Sequence, residues 1–297
     1  MATGGDASDP LASAERRAAE ARARSVQEAG RAERHERLAG ECADAHLRDL
    51  HLRIAADHRS TSARHRTAAR LQDAFAVRLG AWAGRPGVPW QLFMTGVAEA
   101  CGSGGAALTL VGHTFDELAL AASDEPSRAA QELEFLLGEG PARDATSTAA
   151  PVAANGAALA VRWPGYGPAV GELGITEVAA VPLTLDGNCV GALAVYDPAP
   201  GVARSTAFAE IAEALTRSVI LTPAGVLDLH DGIELRAKVH QAAGMVSVQL
   251  DRPVADALEL IRAYAFGEGI PAHRVAERIL EGELLLGWGT GHSSGNT

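Results

Sequence analysis

From Leu11 to Leu79 the chain contains no proline, and only Gly30 and Gly40 interrupt it before Gly80. Ala, Arg and Glu dominate this stretch, and all three are strong helix formers. Residues 11–85 therefore read as one long helix, behind a disordered start at residues 1–10. Before residue 45 its large apolar residues are few: Leu11, Val26 and Leu38. Afterwards Leu47, Leu50, Ile54, Ala68, Leu71 and Phe75 fall on the a and d positions of a heptad, with Asp57, Thr61 and Arg64 on the same seam. That pattern predicts a short, imperfect coiled coil joining two copies of the chain. The alternative is a helix packed on its own domain. His51, His58 and His65 also recur every seven residues. Such a stripe is either a solvated face or a pH-sensitive one. Rings about 10 Å apart along one helix cannot chelate a metal.

The charge divides the chain into three parts. Residues 11–80 carry +4, residues 86–222 carry −10 and residues 223–297 carry −4, within a net charge of −11. Of 26 basic residues 25 are Arg and one is Lys238. The acidic total argues against a general polyanion binder. No apolar run is long enough to cross a bilayer, and MATGGDASDP lacks the apolar core of a secretory signal. Cys42, Cys101 and Cys189 match no zinc spacing and no disulfide framework. These features lead us to expect a cytoplasmic protein. No GxSxG, HExxH or P-loop motif occurs, so we expect neither an enzyme nor a resident metal or cofactor.

Pro86, Gly87 and Pro89 end the helix. Trp90 to Ala100 has helical spacing. The apolar run AALTLVG and the stretch LALAA (118–122) read as paired strands, and Arg128 to Leu137 as a helix. Residues 138–174 read as a loop rich in Gly, Pro and Ala. VAAVPLTL and NCVGALAVY flank Asp186-Gly187, a strong hairpin signal, and Phe208 to Leu221 closes the unit as a helix. The order predicts an α+β domain with an antiparallel sheet. The pieces GAALTLVG, LALAASDE, LEFLLGEGPARDA, RWPGYG and VPLTLDGNCVGALAVYDPAP resemble a GAF domain of the actinobacterial kind, over residues 86–222. The resemblance implies a sensor with a cavity between the sheet and the loop-rich segment, open to an unidentified small molecule. Phe135, Leu136, Trp163, Tyr166, Val181 and Tyr196 are its candidate lining. Many such domains carry Cys after GEGP. Ala142 stands there instead, so sensing through that thiol is not expected.

After Pro223 and Gly225 the sequence has three amphipathic helical stretches: Asp228–Leu250, Val254–Phe266 and one starting at Pro271. They predict a small three-helix bundle, followed by a flexible tail at residues 286–297. IELRAKVHQAAGMV, PVADALELIRAYA and PAHRVAERIL, in that order, resemble an ANTAR domain over residues 226–285, although Ala243 stands where relatives commonly have Lys. The resemblance implies binding to tandem RNA stem-loops and control of transcription antitermination. Arg236, Lys238, His240, Gln241, Arg262, Tyr264, Arg274 and Arg278 are the residue types that grip phosphates and unstacked bases. Two stem-loops suit a homodimer made by the N-terminal helix. The alternative is a dimeric sensor or scaffold whose C-terminal helices contact protein.

Overall fold

The computed structural model describes residues 9–82, 89–112, 117–216 and 230–286. The expected order is present: a helical N-terminal segment, an α+β domain with an antiparallel sheet, and C-terminal helices.

The N-terminal segment is helical from Pro10 to Trp82 but reverses once. Helix α1 (Pro10–Glu41) and helix α2 (Ala45–Trp82) lie antiparallel against each other. Cys42 is extended, and the Asp44 carboxylate accepts the amides of His46 and Leu47 at 2.7 and 3.1 Å, capping the start of α2. Helix α2 therefore packs against α1 of the same chain, through small residues outside the expected heptad seam. Buried Ala18, Ser25, Ala32 and Ala39 repeat every seven residues on α1, as do Ala55, Ser62 and Ala69 on α2. Small side chains let the two backbones approach. Ser25 and Ser62 lock them by donating reciprocally to each other's carbonyl oxygens, at 3.0 and 2.9 Å.

Of the six residues expected to join two copies, three serve the chain itself. Leu71 enters the core of the α+β domain. Phe75 meets Phe93 edge-on at 5.5 Å. Ala68 packs with Ala21 and Ala214. Ile54 is half-buried, while Leu47 and Leu50 remain exposed near the hairpin tip.

The middle domain runs α3 (Pro89–Ala100), β1 (Ser103–Val111), β2 (Glu117–Ala122), α4 (Glu125–Leu137), α5 (Pro141–Thr148), β3 (Val152–Asn155), α6 (Ala157–Arg162), α7 (Tyr166–Glu172), β4 (Glu177–Leu185), β5 (Asn188–Pro198) and α8 (Thr206–Leu215). The five strands are antiparallel in the order β2-β1-β5-β4-β3. Asp186 and Gly187 both have positive φ at the β4–β5 turn, as a two-residue hairpin of this kind requires. The stretch read as loop, residues 138–174, instead holds α5, β3, α6 and α7. Its helices are too short to show a full apolar period. One core layer unites Met94, Val97, Leu108, Val181, Leu183, Leu193, Phe208 and Leu215. The other, across the sheet, unites Trp163, Tyr166, Val170, Val178 and Tyr196.

The C-terminal bundle comprises α9 (His230–Leu250), α10 (Val254–Glu268) and α11 (Ala272–Leu280). Val239, Ala243, Val246, Ile261, Val275 and Ile279 form its core, and Phe135 of α4 belongs to the same cluster. The bundle therefore sits on the middle domain, with α9 against β2 and α10 against α4. The expected disordered start and flexible tail fall almost wholly outside the described residues. Within them, Pro10 already opens α1, capped by the Asp9 carboxylate.

Candidate functional site

The motif GEGP joins α4 to α5 and explains itself atom by atom. Gly138 ends α4 in a left-handed conformation. The Glu139 carboxylate accepts the amides of Gly165 and Tyr166 at 2.6 and 2.9 Å, which fixes the start of α7. A Cβ on Gly140 would fall 2.6 Å from the carboxyl carbon of Glu134, so only glycine fits. Pro141 then opens α5, where a missing N–H costs nothing.

Glu134 is the centre of a polar group sealed inside the domain. It is 3% exposed. One carboxyl oxygen accepts the Arg143 amide at 2.5 Å, while the other has no hydrogen-bond partner among the described residues. Burial pushes its carboxyl up to about 8, so it holds a proton at neutral pH. Gln131 accepts from the Thr109 hydroxyl at 2.9 Å. The Tyr196 hydroxyl faces the Gln131 amide and the Tyr166 hydroxyl without a well-aligned bond to either. Burial raises both tyrosines well above their ordinary range. A space of about 20 Å³ beside Thr109, Gln131 and Glu134 is enough for about one water.

Arg262 of the bundle also lines that space, and here the two domains join. Arg236 is 3% exposed. Its Nε donates to Glu117 at 2.6 Å, and its Nη2 lies 3.0 Å from Glu132. Its guanidinium lies 3.8 Å from the centre of the Phe135 ring, and that of Arg262 lies 4.3 Å from it. The Glu132 carboxylate also accepts the amide of Ala272, at the start of α11, at 2.7 Å. Burial would raise Glu132, but Arg236 and the Ala272 amide outweigh it and hold the carboxyl below its usual range. Burial raises Glu117 despite Arg236. Beside this junction α4, α7, α10 and Pro271 border an open apolar cleft of about 480 Å³, walled by Leu133, Leu136, Leu173, Phe266 and Ile270. That volume is within the range of small-molecule sites.

The six expected lining residues do not enclose one cavity. Trp163, Tyr166 and Tyr196 share one face of the sheet, while Val181 lies on the other. Phe135 and Leu136 belong to the bundle junction. Sequence reasoning missed Gln131 and Glu134, which look like solvated helix residues until α4 is seen to turn them inward. Of the expected RNA-gripping residues, Arg236 and Arg262 are buried at the junction. Lys238 pairs with Glu277 at 2.8 Å, and Arg274 pairs with the same carboxylate at 3.1 Å. The His240 ring lies 3.3 Å from the Glu117 carbonyl oxygen. Gln241 is exposed, whereas Tyr264 and Arg278 are half-buried.

The histidine stripe turns toward α1. The Nδ1 atoms of His51 and His35 are 3.0 Å apart, and His58 meets Glu28 at 2.6 Å. Burial, followed by repulsion from His51 and His58, lowers His35. Among the described residues no group of three or more His, Cys, Asp or Glu is placed to hold a metal ion. No described helix is long and apolar enough to cross a membrane.

No curated protein matches the chain significantly. The family of GAF domains matches residues 90–222, the α+β unit from the start of α3 to beyond α8. The middle of this chain is a GAF domain, a fold whose members serve in ligand or signal sensing.

Proposed function

We propose that the protein is a signal-responsive RNA-binding regulator. In this reading the GAF domain receives a small molecule or another signal. The C-terminal helices bind tandem stem-loops in nascent or messenger RNA and control transcription antitermination. The supporting observation is the junction itself: Arg236 and Arg262 of the bundle rest on Phe135 of the sensor. Any shift of α4, which carries both Phe135 and the buried Glu134, moves the seat of the bundle. The ANTAR-like order of the three helices supplies the RNA. Two stem-loops engage two copies, which pair at the hairpin tip where Leu38, Leu47 and Leu50 are exposed.

The test is fluorescence anisotropy with an RNA of two tandem hairpins against a single-hairpin control, across a salt series, for the full chain and for Arg278→Ala. Tighter binding to the tandem RNA, weakened by salt and by the substitution, is expected. Absence of binding at low salt, both by the full chain and by variants that free the C-terminal helices from the GAF domain, rejects the RNA reading. A second reading then leads, in which the C-terminal helices contact protein. The pairing of Lys238 and Arg274 with Glu277, and of Arg236 with Glu117, favours it, because few cations are left for phosphates.

A further inference from the structure

Arg236 and Arg262 meet in the GAF domain the two surfaces that an RNA loop would offer them. RNA loops present anionic phosphate oxygens for the guanidinium fork and flat base faces for its plane. Glu117 and Glu132 supply the anionic oxygens, at 2.6 and 3.0 Å from Arg236. Phe135 supplies the flat face, within 3.8 Å of one guanidinium and 4.3 Å of the other. Glu132 does a second job of a phosphate, accepting the first amide of α11 at 2.7 Å. Three separate features of a nucleotide contact are thus reproduced by three side chains of one small patch on β2 and α4.

Stability alone gives little reason for this chemistry. A junction of apolar residues would hold the domains at least as well as a buried ion pair. Charged groups add a surface that can be exchanged for another of the same kind. We infer that Glu117, Glu132 and Phe135 form an internal mimic of RNA, which occupies the gripping face of the C-terminal helices and must leave before RNA enters. This rests on the RNA-binding reading above. The mimic keeps the regulator closed, and a signal that shifts α4 would open it by withdrawing Phe135 and Glu132 together.

The experiment uses the full chain and a labelled RNA of two tandem stem-loops at low salt. Binding is compared for wild type, the double variant Glu117→Gln/Glu132→Gln, and the milder Phe135→Leu, which keeps an apolar side chain and removes the ring. Hydrogen exchange in α9 and α10 reports whether each variant has opened. Glu125→Gln is the control, because Glu125 pairs with Arg128 within α4 and is 70% exposed. Opened variants should bind about tenfold more tightly, as expected when the competent state rises from about a tenth to most of the population. The control should bind as wild type does. In wild type, RNA should itself speed exchange in α9. Opened variants that bind no tighter than a binding wild type would overturn the mimic and leave the RNA reading intact. So would RNA bound to wild type with α9 still protected. If neither wild type nor any opened variant binds, the RNA reading falls, and the mimic with it.

Discussion

Glu134 shows how one buried group sets a pH dependence. Its carboxyl is pushed up to about 8, whereas in the unfolded chain it would ionise near the ordinary glutamate value. Between those values the folded protein holds a proton that the unfolded chain has released. The neutral acid therefore contributes stability that is fully present below pH ~4.5 and is lost as pH rises through about 8. Glu134→Gln keeps the shape and the acceptor for the Arg143 amide but cannot ionise. It should flatten this slope and stabilise the fold by on the order of 5 kcal/mol at pH 9, read as the difference in urea midpoint between pH 5 and pH 9. An unchanged slope would mean that Glu134 ionises freely inside the fold. Cys101 is the simpler case. Burial pushes its thiol up to about 12, so it should resist alkylation at pH 8 in the native state, while half-buried Cys189 reacts sooner. Mass spectrometry of the alkylated peptides checks the order. Trp163, Tyr166 and Tyr196 were legible because aromatics are rare here and stood in GAF-like positions. Gln131 and Glu134 were not, since a polar residue on a helix announces an outward face unless another element covers it.

At the scale of elements, the N-terminal hairpin is where helix content was legible and geometry was not. Absence of proline and abundant Ala and Arg predict one long helix over residues 11–85; up to Trp82 the chain is helical except at the reversal, residues 42–44, about which propensity says nothing. Two signals did mark it. Asp44 is a good cap at the point of reversal, and the heptads of small residues, Ala18/Ser25/Ala32/Ala39 and Ala55/Ser62/Ala69, describe two tight faces. A search for large apolar a and d positions passes over both. The seam makes a specific demand: nothing larger than serine fits at its centre. Ala32→Leu should overpack the hairpin and cost about 1–3 kcal/mol. Ser62→Ala should cost about 1 kcal/mol by leaving Ser25 half-satisfied. Ser25→Ala/Ser62→Ala should cost less than the sum of the two single changes, because both hydroxyls leave together. Chemical denaturation of the four variants checks this; strict additivity would mean that the reciprocal bonds are absent in solution. The same lesson covers α6 and α7, whose six and seven residues are too few for a helical apolar period to rise above loop composition.

At the scale of the whole molecule, the bundle and the sensor are joined by ionised groups taken out of water, and that makes the junction's strength depend on pH in a way an apolar seam would not. Arg236→Ala leaves Glu117 and Glu132 facing each other in a buried site, one of them already raised by burial. Removing one member of a buried ion pair typically costs about 3–5 kcal/mol, since the charge left behind is uncompensated. In the variant both carboxyls lose the guanidinium that favours their charged form, so both titrate at higher pH than in wild type. Their neutral forms cost little to bury. The stability of the variant is therefore greatest at low pH and falls as pH rises through the raised values. The destabilisation relative to wild type should be small near pH 4.5 and approach the full 3–5 kcal/mol by pH 8. Adding Glu117→Gln and Glu132→Gln to Arg236→Met should recover most of the loss at pH 8, because an apolar side chain of similar length then meets neutral amides. Urea unfolding at the two pH values, with hydrogen exchange in α9 to separate undocking from global unfolding, reads each term. A cost that is equal at both pH values would mean that the two glutamates reach water when Arg236 is gone, so that the bundle leaves the sensor as a unit while the GAF domain stays folded.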